Sequence, residues 1–357
     1  MGKKKIPEEG IYDARELGTG KMLVLGFQHM FAMFGATVLV PILTGLDVST
    51  TLLFAGLGTL LFHLITGGVV PAFLGSSFAF LGGYATIAPM IDGQPNKEML
   101  PYACFGVACA GLVYVILSAL FKAFGAKKVM RFFPPIVTGP IIIAIGLNLS
   151  SSAINNCAQN WWIAMVAIVI IIAANIWGKG MIKIIPILLG VIGSYVIAVI
   201  CDASVRETLV QNVSNAKWFA LPIYKDETVF GLLTSGNVDA HLLLTSVITI
   251  VPLSLATMVE HIGDISAISS TCNRNYIENP GLHRTLMGDG LATTLAALFG
   301  APANTTYGEN TGVLALSKIY DPRVIRIAAI LAMCFSFSPK FAAIISSMPG
   351  GTIGGVS

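Results

Sequence analysis

"APANTTYGEN" (residues 301–310) and "PAFLGSSFAF" (71–80) are two small, polar stretches set between long apolar runs. Each opens at or beside a proline, passes through small or polar residues and reaches an aromatic-bearing turn; the first also places a carboxylate, Glu309, directly after Gly308. If the flanking runs cross a membrane, such backbone persists only where protein or a watery cavity satisfies its polar groups. Paired short, Gly/Pro-interrupted segments at matching places in two halves point to a transporter's central site.

Composition places both stretches in a membrane protein. The 357 residues are 55% hydrophobic and only 11% charged, against roughly 25% charged in an average soluble domain. Mean hydropathy is +0.80. Apolar segments fall at about 22–45, 51–70, 71–91, 101–121, 133–149, 161–178, 184–201, 242–262, 285–300, 305–318 and 324–345, about eleven spans of an all-α polytopic membrane protein. A net charge of +3 gives no basic field for nucleic acid, and the six scattered cysteines read as packing residues. No cleavable signal precedes the first span.

Basic residues set the orientation. With the N-terminus cytoplasmic, sixteen Lys and Arg fall inside and five outside (Lys97, Arg206, Lys217, Lys225 and Lys340), a strong positive-inside bias. The long loop 202–241 then lies outside, with room for a short hairpin or helix. The last residues, "MPGGTIGGVS", begin another segment, so the sequence reads as stopping within it.

The interrupted stretches occupy spans three and ten. With seven spans per repeat these correspond, and an odd repeat inverts the second copy. Span one, carrying Gln28 and His29, then pairs with span eight, carrying Glu260.

Three carboxylates lie at membrane depth: Glu260 and Asp264, four apart on one helix face, and Glu309. Holding a charge there costs about 2.5–3.5 kcal/mol on insertion scales, so each is a functional-site candidate. The competing reading of Asp264 is a solvated helix end; that of the glutamates is a structural interhelical bond. His261 points about 100° from Glu260 and reads as packing or support. His63, His241 and His283 read as interfacial. "EHIGD" has two acids at i and i+4 and no second His, unlike the H-E-x-x-H of zinc hydrolases. No nucleophile elbow, Walker loop or dinucleotide fingerprint is present, so neither an enzyme nor a cofactor or metal is expected.

"QHMFAMFGATVLVP", "GSSFAF", "EHIGD", "NPGLHR" and "NTTYGENTGVLAL" together resemble the nucleobase:cation symporter-2 family, and within it the uracil permeases. The resemblance runs in order from the first span to the end of the chain. It implies two inverted repeats of seven segments with short strands in segments 3 and 10, here without the last three segments. The expected organisation is a cytoplasmic N-terminus (1–21), a core domain (22–124, segments 1–4), a gate domain (125–201, segments 5–7), an extracytoplasmic loop (202–241), the second core part (242–345, segments 8–11) and the start of segment 12 (346–357).

Carried over by position, the resemblance implies that Glu260 and Glu309 bind the pyrimidine ring. Gly308 and Phe78, with Tyr307 and Ala79 adjacent, match the segments whose amides meet its carbonyls, and Ala36 lines the pocket. Asp264 stands where uracil permeases of the best-known type carry His, so the proton role passes to Asp264, Glu260 or His29. The partners implied are uracil, protons and the lipid bilayer of the cell membrane, with a homodimer left open.

Chemistry agrees. Uracil offers two ring N–H donors, which want ionised carboxylates, and two carbonyls, which want backbone donors; a glycine lets that backbone come close. Xanthine carriers of the family typically have Gln at the position of Glu309. The readings carried forward are a uracil–proton symporter, a xanthine or purine carrier of the same fold, and a nonconducting truncated membrane subunit.

Overall fold

A computed structural model describes residues 10–356 apart from 92, 130–137, 180–181, 183–184 and 237; the side chains of Ala36 and Glu309 also lie outside the described part. In its described residues, every apolar stretch above is occupied by helix or by a strand–helix unit. Among the described residues four helices are long and apolar enough to cross a membrane, or up to seven if each of three sharply bent pairs counts as one span.

The first helix, Thr19–Thr44, ends on Gly45, whose left-handed backbone (φ 83°) lets its amide bond Pro41 O. Asp47 then caps Val48–Ile65, its carboxylate accepting from Thr50 N–H. Leu100–Phe124 packs along Leu282–Leu298. There a Cβ on Gly111 would stand 2.6 Å from Gly290 O, so close approach requires small residues on both helices. Ala240–Ile250 continues through the short 3₁₀ turn Val251–Leu253, which carries Pro252, into Ser254–Thr271.

The centre holds β1 (Leu74–Ser76) and β2 (Asn304–Thr306), antiparallel, with Gly75 opposite Thr305. Ser77 N–H to Ala303 O (2.9 Å) and Tyr307 N–H to Phe73 O (3.0 Å) extend the ladder at either end. Two strands this short cannot satisfy their outer edges, and buried backbone groups demand partners. Helix side chains supply them. Thr59 accepts from Leu74 N–H at 3.0 Å and donates to its carbonyl at 3.2 Å. Thr293 donates to Asn304 O at 2.5 Å, and the Asn304 amide donates to Phe54 O at 2.7 Å.

Segment 202–241 carries a helix over Ala203–Asn215, one of the forms its sequence allowed. It then crosses the neighbouring spans, with Thr50 Oγ1 donating to Pro222 O at 2.9 Å and Lys97 pairing with Glu227 at 2.8 Å.

Candidate functional site

Each strand runs straight into a helix start. After β1 come the 3₁₀ turn Phe78–Phe80 and the helix Leu81–Ile87; after β2 comes Gly308–Ser317. The register places these starts at opposite ends of the ladder. The first amides of a helix have no intrahelical acceptor, and they carry the positive end of its dipole. At the first start Ala79 N–H reaches Ser77 Oγ only at 3.4 Å, and Phe78 and Ala79 are half-buried. At the second, Gly308 is exposed.

The Ser254–Thr271 helix faces Gly308. Asp264 Oδ1 lies 3.5 Å from where a Cβ on Gly308 would stand, and Glu260 and Asp264 are both half-buried. The helix continues seven residues past Asp264, so Asp264 does not terminate it. Glu309 occupies the first turn of Gly308–Ser317.

Tyr307 serves the strands. Its ring lies over Gly75, where a Cβ would stand 2.6 Å from it. Its hydroxyl donates to Ser76 O at 2.7 Å and accepts from Thr37 Oγ1 at 3.3 Å. With its amide given to Phe73 O, what residues 307–308 offer a ligand is the Gly308 amide. His29 is buried against the same helix: the Asn310 amide lies 3.2 Å from its carbonyl and 3.3 Å from Nδ1.

A fourth carboxylate at depth was missed in the sequence. Asp289, between glycines in "MGDG", is fully buried with His261, whose Nδ1 lies 3.2 Å from Asp289 Oδ2. Thr306, on β2, meets His261 Nδ1 at 2.8 Å and donates to Asp289 Oδ1 at 3.4 Å. His261 is therefore a supporting residue, as expected, but it supports a buried pair that grips the strand two residues before Gly308. The signal was present: an acid inside an apolar run. His63 also departs from expectation. It is 2% exposed, with Nε2 2.9 Å from Ala72 O, so it is a buried strap on the approach to β1.

Asp264, with Glu260 one turn before it, thus lies with the start of the Gly308–Ser317 helix beside a crossed strand pair. A model of the permease family matches residues 20–357.

The chain belongs to the permease family.

It is 40% identical over 347 residues to the uracil permease of Bacillus caldolyticus, covering 95% of this chain and 76% of that one. It is 39% identical over 345 residues to the uracil permease of Bacillus subtilis (strain 168), covering 92% and 75%. Among solved structures, the transmembrane domain of a cyanobacterium bicarbonate transporter, BicA, matches with a TM-score of 0.65 at 15% identity, over 97% of this chain and 88% of that one. That likeness concerns the fold: a mostly helical membrane-transporter architecture. The chain is a multi-pass membrane permease and not an enzyme.

Proposed function

We propose that this permease imports uracil together with protons across the cell membrane by alternating access, with its N-terminus in the cytoplasm. One observation carries the reading: Gly308, exposed at a helix start, faces the helix that carries Glu260 and, one turn on, Asp264. A small ring with both N–H donors and carbonyl acceptors needs both kinds of partner. The similarity to uracil permeases names the ring.

In this reading Glu260 and Glu309 accept from the ring N–H groups, and the amides of Gly308 and Phe78 donate to its carbonyls. Ala36 lines the pocket. Glu260 and Asp264, one turn apart, share the coupled proton, because each disfavours a second negative charge on the other; His29 reaches the site through Asn310. The molecule is built as two inverted repeats. Support comes from Thr59 on span two, which holds β1, and Thr293 on span nine, which holds β2. Segments 1–4 and 8–11 form the substrate-bearing core, and segments 5–7 belong to the gate it moves against.

The test is uptake of labelled uracil in cells without another uracil carrier. Saturable accumulation, abolished by a protonophore and outcompeted by unlabelled uracil far better than by xanthine, is the expected result. Preferential competition by xanthine would assign a purine substrate, and no accumulation at all would refute transport.

A further inference from the structure

We infer that the permease carries a phosphate-binding site, remote from the substrate site, where Arg284 and Arg326 converge on the Gly67–Gly68 turn. This turn follows the Val48–Ile65 helix, at the end of the molecule that the basic-residue bias assigns to the cytoplasm. Both glycines have left-handed backbone, φ 70° and 67°, a conformation that keeps side chains away from the spot. Arg284 Nη1 lies 3.8 Å from where a Cβ on Gly67 would stand, and Arg326 Nη1 lies 3.5 Å from the corresponding point on Gly68. Two cations from different helices, one exposed and one half-buried, thus approach one turn.

Among the described residues neither arginine is paired with a carboxylate. Nearby, His283 lies within electrostatic reach of both Arg284 and Lys122, so Lys122 puts a further positive charge at this end of the molecule.

A cation near the end of a helix also answers that helix's dipole. One would suffice, and the dipole leaves the guanidinium forks unspent. Each fork presents donors whose geometry matches two phosphate oxygens, which a point charge does not. Basic pockets between membrane helices on the cytoplasmic side bind phosphate headgroups. The ligand is therefore a phosphate group, supplied by an anionic lipid headgroup or by a soluble phosphomonoester.

The experiment follows thermal unfolding of the purified full chain in phosphatidylcholine–detergent micelles. Added phosphatidylglycerol, inorganic phosphate or glycerol 3-phosphate is compared with extra phosphatidylcholine or with chloride at matched ionic strength. At saturation, at least one phosphate probe is expected to raise the midpoint by about 2–4 °C, and Arg284→Gln with Arg326→Gln to remove the rise. A response to phosphatidylglycerol alone assigns the site to lipid, and a response to the soluble probes alone assigns it to a phosphomonoester. No rise with any probe in the wild type, or a rise that survives the double substitution, overturns the inference. If that variant does not fold, Arg284→Lys with Arg326→Lys keeps the charge and loses the forks. An undiminished response in this variant overturns the inference equally.

Discussion

At the scale of single residues, the proposed function divides the work of holding a small ring between carboxylates and amides. Glu309→Gln keeps the shape of its side chain but turns an N–H₂ toward a ring donor. A mismatched buried polar contact costs about 1–3 kcal/mol, so uracil affinity is expected to fall roughly tenfold or more while expression persists. The uracil-to-xanthine binding ratio should fall with it, and unchanged uracil binding would remove Glu309 from the ligand set. Asp264 reads differently. It borders Gly308, yet the coupling account gives it a proton and not the ring. Asp264→Asn is therefore expected to move the pH dependence of uptake and leave equilibrium recognition of uracil within a few-fold of wild type. An unmoved pH profile would leave the proton to Glu260, alone or with His29.

At the scale of elements, the crossed strands were legible and their anchoring was not. The Pro-to-aromatic pattern in residues 71–80 and 301–310 marked where helices break, and β1 and β2 lie inside those stretches. Glu260 and Asp264 were visible as a helical i, i+4 pair because charge in an apolar run is conspicuous. Threonines are not: Thr59, Thr293 and Thr306 read as ordinary helix or strand residues, and only the fold reveals that they complete the strands' hydrogen bonding. Asp289 escaped because its partners, His261 and Thr306, come from distant parts of the chain. Leaving a buried polar group without its partner costs about 1–3 kcal/mol. Asp289→Ala should thus lower the unfolding midpoint by several degrees, and it should weaken uracil binding because β2 leads directly to Gly308. Thr306→Val, which spares the His261–Asp289 contact, should do less on both counts. Equal unfolding midpoints for Asp289→Ala and wild type would show that the pair does not hold the strand.

At the scale of the whole molecule, two halves of the chain meet at one place, and the account stands on what that place binds. Composition and basic-residue bias predicted a polytopic protein; the bends at residues 160, 202 and 337–338 were hidden, since they depend on packing between spans. The decisive position is Gly308. Its backbone is not left-handed, and the nearest heavy atom a Cβ there would meet is Asp264 Oδ1 at 3.5 Å, an ordinary contact. The fold therefore tolerates Gly308→Ala, whereas a ring lying against the amide does not. The measurement is equilibrium uracil binding to purified Gly308→Ala, with thermal unfolding on the same sample. The account predicts an unfolding midpoint within a degree or two of wild type and uracil affinity reduced roughly tenfold or more, the loss of about one buried polar contact. Wild-type affinity in a folded Gly308→Ala would contradict it and place the base elsewhere.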